Sequence, residues 1–559
     1  MGLLKKKKEL KTTSRGGPGG SVSSMRPQQT LKAPPCGTNC PSGNRIRNWI
    51  AQIAQREKTG ISEEEAFTRA WKIIVNTNPF PAVMGRVCPH PCEDNCNRVE
   101  KDGAVAINAM ERFIGDWAIE KKLSLEKMNG EEPGSDSIGV IGAGPAGLSF
   151  AYQMARRGYP VTVYEKTDKP GGMLLWGIPY YRLPAKVLQA EIDRILDLGV
   201  DLKLNTQIGK DVAVGELRSR HKALFIGIGA DAGRLLKVPG EEGPGVWTGT
   251  DYLFRVNGGE KVDIGKKVAV IGGGDTAIDA ARAARRAGAE VTILYRRTRK
   301  EMPAIDSEVE DALKEDIKIE FLVAPVEIKR EGDKVSKVVV QKMELGEPDD
   351  SGRRRPVPIE GSEYEISIDS VIAAISQQPD WDPLGELGPE DRWIEADEHG
   401  KVKDDVWCGG DALNLGLATI AVGQGRVAAE ALDAELRGKE LPRQGEMPTV
   451  GKDRVRHDLY DPKERAERSH RPRSEWLEKP DEEIDRGINQ DQFIEEASRC
   501  YSCGMCFGCE RCWMYCTPSC FSKVTDGPRP GHYYEIKLDT CDGCKKCMDE
   551  CPCGFIDML

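Results

Sequence analysis

"SIGVIGAGPAGLSFAYQMARRGYPVTVYEK", residues 137–166, opens on an apolar strand and turns through Gly142, Gly144 and Gly147 into a helix. A second strand, Val161 to Tyr164, then ends at Glu165. Glycines at this spacing permit a tight turn and let a pyrophosphate approach the helix N-terminus, while the carboxylate accepts ribose hydroxyls. With strand, helix and acid in register, Gly142, Gly144, Pro145, Gly147, Glu165 and Lys166 are candidate contacts of a dinucleotide.

The pattern returns in "KKVAVIGGGDTAIDAARAARRAGAEVTILYRRTRKEMPA", residues 266–304, with Gly272, Gly274, Asp275, Thr276 and Ala277 at the turn. Glu165 lies 23 residues after Gly142, and the same offset from Gly272 reaches Tyr295, followed by Arg296 and Arg297. A carboxylate would repel a 2′-phosphate there, whereas guanidinium groups bind one through forked, charge-assisted contacts. This second unit is therefore expected to prefer NADPH to NADH. The alternative is a pair of surface arginines at a strand end. The first unit is left for a flavin. Gly171 and Gly172 in "KPGGMLLWGIPYYRLP" (169–184) let backbone approach it, and Gly410 and Asp411 in "VWCGGDALNLGLATIAVGQGRVAAEAL" (406–432) supply a turn and a carboxylate for a ribityl hydroxyl. A helix beginning near Gly423 is expected to aim its N-terminus at that flavin.

Composition sets the surroundings. The 559 residues suit three or four domains, and no run approaches the roughly 18 apolar residues of a membrane span. The net charge of −10 argues against nucleic-acid binding. MGLLKKKKEL lacks the apolar stretch of a secretory signal, and Lys6 breaks the myristoylation pattern, so a cytoplasmic location is expected. The first 32 residues hold eight Lys or Arg against Glu9 alone, a composition that reads as a disordered arm. Eighteen cysteines in such a compartment point to metal rather than disulfides. Five lie between Cys36 and Cys96, twelve between Cys500 and Cys553, and Cys408 stands alone between them.

The ordered set "VIGAGPAG", "GGMLLWGIP", "VIGGGDTAIDAAR", "YRRTRKEMPA" and "CGGDA" closely resembles the small subunit of glutamate synthase and its relatives, over residues 31 to 440. The resemblance implies FAD in the first unit, a nicotinamide nucleotide in the second, and iron–sulfur clusters that carry electrons away. It also implies that no side chain serves as acid or base, since hydride transfer takes place at the flavin N5. At the front, "APPCGTNCPSGNRIRNWI" (33–50) and "GRVCPHPCEDNCNRVEKDGAVAINAMERF" (85–113) resemble the family's helical cluster domain, with a helix opening at Ser62 and a capping box completed by Glu65. Carried over residue by residue, the resemblance makes Cys40, Cys88, Cys92 and Glu111 the ligands of one [4Fe–4S] cluster. A solvent-facing Glu111 is the alternative. The sister cluster takes Cys36 and Cys96, but the C-x-x-C pair that normally precedes them is missing from "RPQQTLKAP".

The cysteines at the other end supply candidates. "CDGCKKCMDECP" (541–552) has the spacing of a bacterial ferredoxin run, whose fourth cysteine serves the other cluster. Within "RCYSCGMCFGCERCWMYCTPSC" (499–520) only Cys506, Cys509, Cys512 and Cys516 share that spacing. The expected pair of clusters is Cys506, Cys509, Cys512 and Cys551 for one, and Cys541, Cys544, Cys547 and Cys516 for the other; zinc is the alternative. Cys500 and Cys503 remain, a C-x-x-C pair like the missing one, and are expected to fold back onto Cys36 and Cys96. Cys408, Cys520 and Cys553 are read as packing residues.

The expected fold class is α/β: two Rossmann-like domains, one inserted in the other, with a helical N-terminal Fe–S domain and a C-terminal 2[4Fe–4S] ferredoxin-like domain. The boundaries expected are a disordered arm over 1–30, the helical cluster domain over 31–135, and the FAD domain over 136–264 and 376–440. The NAD(P)H domain takes 265–375, an extended linker 441–490, and the ferredoxin-like domain 491–559. The function expected is an NAD(P)H:acceptor oxidoreductase subunit with FAD and four [4Fe–4S] clusters, working with a partner redox enzyme within a hetero-oligomer or a homodimer. Its fusion to a two-cluster ferredoxin resembles the flavoprotein of dissimilatory sulfite reductase and the electron-transfer subunits of 2-oxoacid oxidoreductases. A glutamate synthase small subunit and a non-enzymatic cluster scaffold are the alternatives; Gly2 stands where a glutaminase would need a nucleophilic cysteine.

Overall fold

A computed structural model describes residues 23–128, 132, 134–350, 352–389, 393–441 and 447–559. The chain divides into two compact units. One comprises the residues up to Leu123 with Gly438–Ser469 and Gly487–Leu559; the other comprises Ser124–Arg437 and His470–Arg486. Among the described residues no helix is long and apolar enough to cross a membrane.

The larger unit is built on two parallel sheets. In the first, the strands run in the order Lys401–Lys403, Val406–Cys408, Ala223–Ile226, Ile138–Ile141, Val161–Tyr164 and Asp201–Lys203, with only the Lys401–Lys403 edge antiparallel. Val406–Cys408 returns to this sheet after the second domain has been made, so the first domain is split. Helix Ala418–Leu436 then crosses helix Pro145–Arg156 so tightly that a Cβ on Gly425 would lie 2.3 Å from the Ala146 carbonyl oxygen. The second sheet has the order Lys318–Phe321, Glu290–Tyr295, Lys267–Ile271, Ser370–Ala373 and Val246–Thr248. Its last strand lies upstream of residue 265, so the second domain starts earlier than the sequence suggested. Between Phe321 and Ser370 the chain also builds an antiparallel sheet from Val323–Glu331, Lys334–Pro348, Arg354–Pro358 and Tyr364–Ser367.

Residues 173–184 join the two nucleotide-binding sheets. Asn257 donates to the carbonyls of Leu175, Trp176 and Ile178 at 3.1–3.2 Å, and partly buried Arg182 pairs with buried Asp279 at 2.7 Å. Arg282 and Arg286 stack on the Tyr181 ring at 4.7 and 3.6 Å. The stretch 470–486, expected as linker, straps this joint. The Ile484 amide donates to the Tyr181 carbonyl (3.0 Å), Arg286 Nε donates to the Pro480 carbonyl (3.2 Å), and Trp476 and Ile484 bury Tyr181.

The smaller unit merges what the sequence had placed in two domains. Helices Ile46–Ala54, Glu63–Val75, Pro81–Val87 and Ile107–Glu120 form a bundle, and Gln490–Arg499 belongs to it. Phe493 of that last helix stacks on Phe113 at 4.4 Å and meets Phe67 edge-on at 5.0 Å. Arg499, fully buried, donates to the carbonyls of Lys463, Ala104, Asp102 and Gly103 and pairs with Glu496 and Asp102. The capping box expected at Ser62 forms only halfway: Ser62 accepts from the Glu65 amide at 3.2 Å, but the Glu65 carboxylate turns to Arg69. A complete box forms at Asn489 and Gln492. The described part of the disordered arm expected over residues 1–30 is not disordered. Pro27–Gln29 pairs with Ile556–Met558 as an antiparallel strand, and residues 1–22 lie outside the described residues.

Candidate functional site

The first glycine turn is a cradle that side chains would fill. Gly142 has φ +98°, and a Cβ there would lie 2.5 Å from the Gly227 carbonyl oxygen. A Cβ on Gly147 would meet the Gly142 carbonyl at 2.0 Å, and one on Gly172 would meet Gly144 Cα at 2.8 Å. The Gly171 amide donates to the Ala143 carbonyl at 2.8 Å, laying the second glycine pair against the first turn. Buried Glu165 accepts from the Ala143 amide (2.8 Å) and from the amide and hydroxyl of Thr167 (2.9 and 2.8 Å), so the turn and the acid are one assembly. Lys166 is drawn off to Asp231 at 2.5 Å instead of lining the cradle. At the returning strand, Gly410 has φ +77° and donates to Gln424 at 2.7 Å. Asp411 accepts only the Gly416 amide (3.0 Å) among the described residues, and burial pushes its carboxyl up to about 6. A half-buried carboxyl with one donor has lone pairs left for a polyol hydroxyl, which fits the flavin expected here. The helix that follows begins at Ala418, upstream of Gly423.

The second turn repeats the construction. Gly272, at φ +147°, faces the Ala374 carbonyl, which a Cβ would meet at 2.2 Å, while a Cβ on Gly274 would meet nothing within 4 Å. Asp275 accepts the Ile305 amide at 3.0 Å, Thr276 places its methyl beside Gly249, and Ala277 is fully buried. The two arginines part company. Arg297 is 4% exposed, donates through Nε to the Arg354 carbonyl (2.7 Å) and pairs with Asp349 at 2.6 Å. It is a fastening to the antiparallel sheet and not the ligand expected of it. Arg296 is exposed, and no hydrogen bond or ion pair holds it among the described residues. It remains the candidate for an anionic group at the strand end.

The cysteines fall into groups. Cys36, Cys96, Cys500 and Cys503 line one cavity with Arg47, Ile46, Ile50 and Val105. Cys506, Cys509, Cys512 and Cys551 line a second, with Cys553. Cys516, Cys541, Cys544 and Cys547 line a third, with Cys520. Cys40 and Cys92 lie close enough to Glu111 to feel its charge, and Cys88 ends the helix Pro81–Val87. Glu111 accepts from Asn44 (3.2 Å) and Asn78 (2.9 Å), both at Oε1, and burial pushes its carboxyl up to about 7. It does not face solvent freely. Among the described residues no three His, Cys, Asp or Glu come close enough to ligate a single ion, which a four-iron cubane, spreading its thiolates around a larger core, does not require.

Two further features suit clusters at these groups. The loops turn through left-handed residues between their cysteines: His90, Ser502, Glu510 and Lys545, with φ from 51° to 69°. Amides are aimed at sulfur, from His90 to Cys88 (3.4 Å) and Ser502 to Cys500 (3.4 Å), and, after left-handed Ser519 and Gly554, from Cys520 to Cys516 (3.2 Å) and Phe555 to Cys551 (3.3 Å). Such bonds set cluster potentials. Burial pushes the bare thiols up, to about 11 for Cys500 and Cys509 and about 12 for Cys503, Cys506 and Cys547. Iron would hold them as thiolates. Cys553 lies 3.8 Å from Cys551, and the hydrogen bond between them lowers the Cys551 thiol and raises that of Cys553. Cys520 and Cys553 therefore line the cavities in addition to packing the core; Cys408 is fully buried in the flavin-side sheet.

Residues 136–425 match the family described as pyridine nucleotide-disulphide oxidoreductase, and residues 26–123 match dihydropyrimidine dehydrogenase domain II, 4Fe-4S cluster. The chain belongs to the pyridine nucleotide-disulphide oxidoreductase family. This oxidoreductase is 36% identical over 518 residues to the NADPH-Fe(3+) oxidoreductase subunit beta of Geobacter sulfurreducens, covering 84% of this chain and 75% of that one. It is 37% identical over 515 residues to the NADP(+)-dependent formate dehydrogenase subunit beta of Moorella thermoacetica (84% and 70%). It is also 35% identical over 431 residues to the glutamate synthase [NADPH] small chain of Azospirillum brasilense (73% and 87%). It is an FAD-dependent iron–sulfur oxidoreductase with an α/β nucleotide-binding body.

Proposed function

We propose that this chain is the electron-transfer subunit that exchanges electrons between NADPH, FAD and four [4Fe–4S] clusters, to or from a partner redox enzyme. The observation that carries the reading is the cavity lined by Cys36, Cys96, Cys500 and Cys503, because it draws a complete ligand set from both ends of the chain. The other sets are Cys506, Cys509, Cys512 and Cys551; Cys516, Cys541, Cys544 and Cys547; and Cys40, Cys88, Cys92 and Glu111. Bound FAD supplies the exchange between two-electron hydride chemistry and single electrons. The protein's own part is positional. Gly142, Gly144, Gly147 and Gly172 admit the flavin dinucleotide, Glu165 and Asp411 accept its hydroxyls, and Gly272 and Gly274 admit the nicotinamide nucleotide, whose 2′-phosphate meets Arg296. The three cavities are joined by chain, since only Gly504 and Met505 separate Cys503 from Cys506, and only Trp513, Met514 and Tyr515 separate Cys512 from Cys516.

The partner is a redox enzyme of the sulfite reductase or 2-oxoacid oxidoreductase type. The beta-subunit names of the Geobacter and Moorella relatives support work within a larger assembly. The glutamate synthase relative supports the rival reading less, since it covers 73% of this chain against 84%. Iron analysis tests the ligand sets. Replacing Cys500 and Cys503 together with serine should lower iron from roughly sixteen atoms per chain to about twelve. Unchanged iron would remove the shared cavity from the electron path. Co-purification of the tagged chain identifies the partner, and recovery of a glutamate synthase large subunit would replace the reading.

A further inference from the structure

Helix Ile46–Ala54 carries a charge with no carboxylate to balance it among the described residues. Arg47 is 4% exposed. Its Nη1 donates to the carbonyl oxygens of Lys32 (2.5 Å) and Cys503 (2.6 Å), and its buried Nε has no hydrogen-bond partner. Among the described residues no carboxylate pairs with it. A guanidinium taken out of water without an anion is costly, and buried arginines are ordinarily paired. Arg282 with Glu315 and Arg182 with Asp279 follow that rule in this same chain.

Arg47 lines the cavity of Cys36, Cys96, Cys500 and Cys503. Arg98 lines it too, but it is spent on Asp102 through Nε and Nη2, both at 2.6 Å, and Lys32 is spent on Asp557 at 2.8 Å. Four neutral thiols offer Arg47 no counter-charge. A cubane core held by four thiolates is a net anion, and it would stand where the missing carboxylate should be. We propose that Arg47 is the buried counter-charge of the cluster held by Cys36, Cys96, Cys500 and Cys503, and that it holds this cluster's midpoint potential above the value the cysteines alone would set. The inference rests on the ligand assignment made above. Reduction adds one negative charge to the cavity. In a low-dielectric site a fixed cation stabilises the more negative state further, and Arg47 neither gives nor takes a proton or an electron in doing so. Its bond to the Cys503 carbonyl keeps it beside the ligand loop.

The rival explanation is mechanical: Arg47 simply splints the Cys503 and Lys32 carbonyls. Anaerobic redox titration of the whole chain, followed by electron paramagnetic resonance with iron measured in each sample, separates the two. In Arg47→Gln one cluster should move to lower potential by at least tenfold in its one-electron equilibrium, which is 59 mV. Arg47→Lys, which keeps the charge but not the fork, should stay near the parent value. Loss of about four irons in Arg47→Gln but not in Arg47→Lys would equally support the charge, as needed even for retention. Unmoved potentials with full iron in Arg47→Gln, or equal shifts in both variants, would overturn the proposal. Failure of the parent assignment is told apart by the Cys500→Ser, Cys503→Ser protein: if it keeps full iron, the cavity holds no cluster and the question about Arg47 does not arise.

Discussion

The two units are stabilised by different materials. In the larger, the core of the second sheet is aliphatic: Val268, Val270, Ile278, Val291, Ile293 and Ile372 interlock between strands and helices. In the smaller, the core near the C-terminal strand sets Cys512, Cys547, Cys551 and Cys553 among Tyr460, Tyr501, Phe507, Phe521 and Phe555. An aliphatic core excludes water by itself. A core of thiols arranged around cavities is completed by what the thiols hold, and the free energy of binding then becomes free energy of folding. The larger unit follows from its apolar pattern; in the smaller, an apolar helical bundle around Trp49, Phe67, Trp71 and Phe493 adjoins a cysteine-lined region that the proposed clusters would complete.

The largest expected effect tests that contrast directly. Anaerobic removal of iron should open the smaller unit while leaving the larger one folded, so limited proteolysis should spare a fragment near Ser124–Arg437. Equal resistance of both units after iron removal would break the comparison.

A smaller effect sharpens it within the larger unit, where the two glycine turns are alike but the strand ends differ. Glu165 is locked into the first turn, and Arg296 is unengaged at the second. Arg296→Ala should weaken NADPH binding by about 1.5–3 kcal/mol, the cost of a lost charged contact, with NADH nearly unchanged. Arg297→Ala should instead lower thermal stability and treat both nucleotides alike, since its guanidinium serves Asp349 and the Arg354 carbonyl. A cofactor preference that follows Arg297 would reverse these roles.

The smallest effect concerns pH. Burial lifts the Asp411 carboxyl from 3.8 to about 6 in the flavin-free fold, so the folded state favours the protonated form. Stability from this group is fully present below about pH 4 and is lost as pH rises through 6. Asp411→Asn should flatten that fall. The wild-type minus variant difference in unfolding free energy between pH 4 and 7 is the measurement, and a constant difference would remove Asp411 as a titrating group of the fold.

The larger unit was legible because its signals are local. A Gly142 that must take φ +98° and a strand, turn, helix and second strand running from Ile138 to Tyr164 all lie within one short window. The fate of Arg297 was not, because Asp349 lies 52 residues away on a sheet whose antiparallel strands the sequence reading had folded into the nicotinamide domain. Cysteine spacing pointed to the groupings of Cys506 to Cys551, and an absence, the missing C-x-x-C before Cys36, pointed to Cys500 and Cys503. Spacing was silent on Ser502, Glu510 and Lys545, whose left-handed turns aim the amides, because positive φ at a non-glycine residue has no strong sequence mark. Nor could it divide 441–490. Trp476 and Ile484 find Tyr181 across the fold, and no local pattern announces that.

The cavity of Cys36, Cys96, Cys500 and Cys503 also sets a timetable for biosynthesis. Roughly 400 residues separate Cys96 from Cys500, and a ribosome adding about 5–20 residues per second needs on the order of 20–80 s to span them. Domains generally fold as they emerge. Both nucleotide-binding sheets, complete once Val406–Cys408 has been made, can form before Cys500 exists. If the proposed ligand set holds, Cys36 and Cys96 would wait through that interval as an unfinished half-site, open to oxidation or to the wrong metal. On the proposed ligand set, iron delivery to this cavity would be a late event, meeting a chain whose nucleotide-binding sheets are already built.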